Sequence, residues 1–149
     1  MTLKILRRVG VVAIVATGAV HLVEYLGDYH SVPTIGPLFL LNAIGSGVIA
    51  LGMLMPLERR LSQRRGELAV GLLALGGVAL AVGSLIGLYI SETGTLFGFA
   101  EGPLDTPMWI AMVAEVTAAI ALAPVAMARL ARTSSQRDRA RSTGALSSG

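Results

Sequence analysis

His21, Glu24, Tyr25 and Asp28 fall at i, i+3, i+4 and i+7 within GAVHLVEYLGDYH, residues 18–30. On a helix they share one face, which Thr17 extends by a turn. An imidazole beside carboxylates can exchange protons, hold a small polar molecule or supply part of a metal site. The His-x-x-Glu pair is the reverse of half a di-iron Glu-x-x-His motif. That site needs the motif again on a second helix pair, where the chain has none, and a mononuclear site from His21, Glu24 and Glu115 is a weak alternative. No metal is expected. Bis-histidine haem needs histidines on facing helices, whereas His21 and His30 lie on or just after one segment, so haem is not expected either. Serine-hydrolase, P-loop and Rossmann signatures are absent, and the chain has no cysteine for thiolate chemistry or disulfides. No catalytic residue is assigned.

The elements that must position these residues are legible from apolar run length. The chain has 149 residues, 54% hydrophobic and 14% charged, against about 25% charged in a soluble domain. Crossing a bilayer core takes about 20 apolar residues, and four stretches qualify, at about 6–27, 35–57, 68–90 and 107–128. A water-soluble four-helix bundle would carry a polar stripe on each helix. The third stretch, LAVGLLALGGVALAVGSLIGLYI, contains no charge at all. The fold class expected is therefore all-α, an integral membrane four-helix bundle spanning residues 1–132. A basic tail, 133–149, is too poor in apolar residues to fold and is expected to be disordered.

The connections predict the threading. All 12 Lys and Arg residues precede span one, lie between spans two and three, or follow span four. The opposite loops, 28–34 and 91–106, carry Asp28, Glu92, Glu101 and Asp105 and no basic residue. The positive-inside bias then puts both termini in the cytoplasm. Tyr25, Tyr29, Tyr89 and Trp109 fall at the outer ends, where an interfacial belt would sit. The net charge of +3 flanks apolar runs and forms no face of its own, so nucleic acid is not an expected partner. The lipid bilayer is.

A depth count gathers the remaining polar residues. At about 1.5 Å per residue, His21 lies roughly 9–10 Å below the outer end of its helix. Asn42 and Ser46 in span two, Ser84 in span three and Glu115 in span four fall on the order of 10–16 Å below the same surface. They converge in the outer half of the bundle. A charge near the bilayer centre costs about 2.5–3.5 kcal/mol on insertion scales, so Glu115 must be protonated, paired or facing a wet pocket, with His21 or Asn42 as its expected partner. His21, Glu24, Asn42, Ser84 and Glu115 are the candidate ligand- or proton-binding residues, and a quinone-like molecule fits them. For each, a structural reading competes: Glu24 near enough to the surface to be solvated, His21 as a buried hydrogen-bonding histidine, Asn42 as interhelical glue.

Small residues give helices close approach in lipid. Gly71, Gly76, Gly77, Gly83 and Gly87 on span three read as packing seams, internal or between two copies of the chain, as do Ala43 with Gly47 and Gly45 with Gly52 on span two. Pro37 falls in the first turn of its span, where a missing N–H costs little, while Pro124 should kink its helix or end it. Phe97 and Phe99 are expected to lie loosely in the interface, with folding back over the bundle as the alternative.

The Arg7-Arg8-Val9-Gly10 opening, the Thr17-Gly18-Ala19 run before a polar outer end, and Ile49-Ala50-Leu51-Gly52 ahead of a basic loop resemble the DoxX-like small four-helix bacterial membrane proteins. The resemblance implies the bundle architecture and a bacterial inner membrane, with which the Ala, Gly and Arg bias agrees. Some members are linked to quinone-dependent redox complexes. No site residue is carried over. The function expected is a non-catalytic subunit or a small-ligand or proton-binding protein. The alternatives are a quinone-linked accessory subunit and a purely structural membrane partner.

Overall fold

The computed structural model describes residues 2–99 and 106–146, with side chains of the last helix through residue 136. Glu101 and Asp105 of the acidic loop, and the basic side chains beyond residue 136, lie outside the described residues. Five helices follow in order: α1 Leu3–Leu26, α2 Ile35–Leu54, a short α3 Leu57–Arg60, α4 Gln63–Thr93 and α5 Thr106–Leu146, with a 3-10 turn at Tyr29–Ser31. Four of them are long and apolar enough to cross a membrane: Leu3–Leu26, Ile35–Leu54, Gln63–Thr93 and the Thr106–Gln136 part of α5. The apolar runs anticipate each to within a few residues at most ends. The larger departures are extensions, because a helix continues into flanking polar residues until something stops it.

The long helices form a ring in which α1 packs on α2 and α5, and α4 on α5, over most of their lengths, while α2 and α4 meet less. Ile14, Met53, Val70 and Leu122 fill the middle, each 2% exposed or less. Small residues set the approach distances. A Cβ added at Gly18 would stand 2.6 Å from Ser46 Cβ, which closes α1 on α2, and one at Gly77 would stand 2.6 Å from the Leu122 side chain. Around this core, large apolar side chains face outward on every long helix, among them Val12, Leu41, Leu72 and Ile120. Water offers such a surface no compensation, whereas lipid does.

Three expectations are corrected. Gly83 and Gly87 are not a packing seam inside the bundle: among the described residues, a Cβ on Gly83 would meet nothing within 4 Å, and one on Gly87 only Leu96 at 3.6 Å. Of the two outcomes expected at Pro124, a kink or an end, the end is excluded, since α5 runs through it. Tyr29 does not lie in an interfacial belt, being 9% exposed and buried against Phe39, while Tyr89 and Trp109 are exposed at the expected end.

The polar segment from Thr133 also differs from the expectation of a tail without structure, because α5 continues to Leu146. Its hydroxyls bond back to the preceding turn, Thr133 to the Arg129 carbonyl at 3.0 Å and Ser134 to the Ala131 carbonyl at 2.8 Å. Such bonds leave the helical ladder intact.

The end of the bundle that carries the N-terminus and the α2–α4 connection is tied by ions. Arg7 on α1 donates to the Met53 carbonyl through both Nε and Nη2, capping the last turn of α2, and its Nη1 lies 2.6 Å from Glu58 Oε1. Arg129 on α5 reaches Glu58 at 3.3 Å and Glu67 on α4 at 2.6 Å. All four long helices therefore meet in one network at this basic end.

Candidate functional site: a cavity at the opposite end

At the end away from this network, the four long helices enclose a cavity of about 400 Å³. Its polar lining comes from α1 (His21, Glu24), α2 (Asn42), α4 (Ser84, Ser91) and α5 (Glu115). All five candidate residues thus line one space, although their sequence separations reach 94 positions. Asp28 and Tyr25 do not line it. The remaining wall is apolar, from residues such as Ile35, Leu38, Leu80, Leu88 and Met108.

His21 is oriented by its own helix. Nδ1 lies 2.9 Å from the Thr17 carbonyl one turn back. A carbonyl only accepts, so Nδ1 carries the hydrogen, and in the neutral ring Nε2 is the acceptor. The Ser84 hydroxyl, 3.0 Å away, donates to that Nε2. Ser84 also interacts with the Glu115 carboxyl. Glu115 Oε1 stands 3.6 Å from Nε2, too far for a hydrogen bond. This oxygen is fully buried and has no hydrogen-bond partner among the described residues, and the Glu115 side chain is 2% exposed. Asn42 is engaged elsewhere, accepting from the Ser46 hydroxyl at 3.2 Å. Glu24, on the same face as His21 and one turn nearer the helix end, is half-buried at the cavity edge.

Aromatic rings build the cap. Tyr29 stacks on Phe39 at 4.5 Å between centroids with an interplanar angle of 9°. Phe99 meets Tyr29 edge-on at 5.8 Å, and Phe39 lies 5.0 Å from the His21 ring. Such geometries add about 0.5–1.5 kcal/mol per pair beyond burial. The loop therefore folds back over the bundle through Phe99, while Phe97 stays 70% exposed. A chain reversal pins Tyr29 in place. Thr34 takes a positive φ of 68° at the start of α2, and Gly36 packs so tightly on the Tyr29 carbonyl that a side chain would collide with it.

The ion network at the basic end escaped sequence reasoning. Its arginines read as threading signals, and Glu58 and Glu67 sit on a side dominated by positive charge. Two acids among that surplus, with Glu67 directly before an apolar run, are the available signal. Burial alone would push the Glu58 carboxyl up. A hydrogen bond from its own backbone and the charges of Arg7 and Arg129 outweigh that and hold its pKa below the ordinary 4.5.

Among the described residues, no group of three or more His, Asp or Glu is placed to hold a metal ion. Comparison with profiles of known protein families, with curated proteins and with solved structures finds no match to this chain. The class that fold and cavity define is a small helical protein with four helices able to span a membrane. No family narrows it further.

Proposed function

We propose that this chain is a multi-pass protein of a bacterial inner membrane, with both termini cytoplasmic and a non-catalytic binding cavity in the outer half of its bundle. The likeness to DoxX-like proteins enters this reading as architecture only. The observation that carries the reading is Glu115 Oε1, a buried acceptor without a hydrogen-bond partner, 3.6 Å from the imidazole of His21 at the wall of a 400 Å³ cavity. A mostly apolar pocket with a few convergent polar groups is the usual form of a small-molecule site. Because Nδ1 is committed to the Thr17 carbonyl, ring Nε2 and the Glu115 carboxyl are the two positions where the pair gains or loses a proton. With one proton between them the pair carries no net charge, whether both groups are neutral or both are charged. Such a pair can pass a proton to, or take one from, a molecule in the cavity.

Infrared titration of the purified protein tests the pair. The Glu115 carboxyl band, identified by its loss in Glu115→Gln, should titrate in two coupled steps with the His21 ring. Independent titration of the two groups would remove the basis for the reading. If the two groups titrated independently and Glu115→Gln prevented assembly of the protein, a purely structural role would be favoured instead.

The aromatic row of Phe39, Tyr29 and Phe99 favours a second reading, a quinone-linked accessory subunit. A flat ring could lie against those faces with its oxygens toward Ser84 and Glu115. Binding of a short-chain quinone analogue that is lost in both Glu115→Leu and Phe39→Ala would select it.

A further inference from the structure

The seam between α2 and α4 changes character along its length. In the half of the bundle nearer the basic end, α2 and α4 are in contact: a Cβ at Gly45 would stand 2.8 Å from Leu80, and one at Gly52 would stand 2.8 Å from Leu73. Beyond Leu80, no described atom of α2 comes within 4 Å of a Cβ placed at Gly83 or Gly87. Gly83 and Gly87 border the cavity and present no side chain, and the facing Leu41 on α2 is 64% exposed. The loop end is covered instead, by Tyr29, Leu96 and Phe99. A molecule leaving between α2 and α4 therefore passes Leu41 and Gly83 into the surroundings of the apolar outer surface.

The lining specifies the head of such a molecule. Among the described residues no Lys or Arg lines the cavity, whereas two carboxyl side chains, Glu24 and Glu115, do. An anionic head would find no counter-charge. The imidazole of His21 already stands 3.6 Å from Glu115 and Glu24 has a partner of its own, so a cationic head would compete with groups already in place. A hydroxyl can donate to the unpartnered Oε1 of Glu115 without any charge being buried.

We infer that the cavity takes a single-chain amphiphile with an uncharged hydroxyl head, which enters from the bilayer between α2 and α4. The head sits at Glu115, Ser84 and His21, and the tail lies over Gly83 and Gly87. This rests on the reading of the cavity as a ligand site, and it adds the ligand class and the route.

Photolabelling of the full chain in phosphatidylcholine nanodiscs tests it, with diazirine-bearing hexadecanol as the probe and matched palmitate and hexadecylamine probes beside it. Adducts are mapped by mass spectrometry, and those on the facing stretches 38–45 and 80–88 are scored against adducts on Val12 and Val113 of the outer surface. The alcohol should enrich the seam. Glu115→Leu should lower that enrichment about fivefold, the worth of one hydrogen bond. Gly83→Phe, whose ring fills the opening, should abolish it. Gly87→Leu serves as a second plug, and gel filtration with circular dichroism confirms that each variant is folded. If Glu115→Leu lowers labelling and neither folded plug does, the cavity binds the probe but the lateral route is wrong. If neither class of variant matters, the site reading falls as well. Seam labelling by the acid or the amine at the level of the alcohol overturns the uncharged head.

Discussion

The imidazole of His21 faces Glu115 across 3.6 Å, with its other nitrogen held by the Thr17 carbonyl. The two residues lie on α1 and α5, 94 positions apart, and each is the nearest oppositely charging group to the other in the cavity. Removing one should hurt more than removing both. His21→Ala leaves a buried carboxyl without its base and should cost about 1–3 kcal/mol. Adding Glu115→Leu to His21→Ala replaces the stranded acid with an apolar side chain and should recover stability, for an interaction energy of about 0.5–3 kcal/mol. Thermal unfolding of the three variants in one detergent measures this, and strictly additive losses would show that the two groups do not interact.

At the basic end, Arg129 joins α5 to Glu67 on α4 and to Glu58. Arg129→Ala leaves Glu67, which is 8% exposed, with only the exposed Arg132 at 3.8 Å, and should cost about 3 kcal/mol. The double change Arg129→Met with Glu67→Leu should recover most of that loss, because buried pairs are often replaceable by apolar groups of similar size. Unfolding in detergent again decides, and a double variant as unstable as Arg129→Ala would contradict the account.

Acid should weaken this same network. The folded chain holds the Glu58 carboxyl below its ordinary value of 4.5. Its contribution is therefore fully present above that pH and is lost as the pH falls through the depressed folded value. The melting temperature of the wild-type chain should drop across this acidic window more than that of Glu58→Gln, and parallel curves would refute the assignment.

The parts legible in the sequence share a physical trait. The four spans could be read because run length against bilayer thickness is a property of the chain alone. The polar residues of the cavity could be read because helical rise converts position into depth, so His21, Asn42, Ser84 and Glu115 fell at similar depths before any contact was known. What the chain alone could not reveal depends on which faces meet. Gly83 and Gly87 have the spacing of a packing seam, yet they border the cavity, with no described atom of α2 within 4 Å of a Cβ placed at either. Arg7 and Arg129 read as topology signals, and only their proximity to Glu58 and Glu67 shows that they also fasten the helices. Tyr29 has the position of a belt residue, and a tight reversal at Thr34 turns it inward.

Two glycines should respond oppositely to alanine. At Gly36 an added methyl would run into the Tyr29 carbonyl, which is backbone and cannot swing aside. Gly36→Ala should cost about 1–3 kcal/mol and loosen the Tyr29–Phe39 stack, visible as a change in tyrosine near-ultraviolet dichroism. At Gly83 the methyl meets nothing within 4 Å, and alanine in a helix is favoured over glycine by roughly 0.5–1 kcal/mol. Gly83→Ala should therefore be neutral or stabilising. Equal destabilisation by both changes would mean that α2 and α4 are closed at Gly83.

The proposed orientation rests on all 12 basic residues lying in the first two turns of α1, between residues 59 and 65, or beyond residue 128, since Lys and Arg beside a span are retained on the cytoplasmic side. The chain contains no cysteine, so one introduced thiol reports without background. Ser31, in the turn after α1, and Ser62, just before α4, are both exposed and lie at opposite ends of the bundle. In intact cells a membrane-impermeant maleimide should label Ser31→Cys and leave Ser62→Cys untouched until the membrane is permeabilised. Labelling of Ser62→Cys alone would turn the cavity toward the cytoplasm. The His21–Glu115 pair would then exchange its proton with the inner compartment, and the ion network of Arg7, Glu58, Glu67 and Arg129 would face outward.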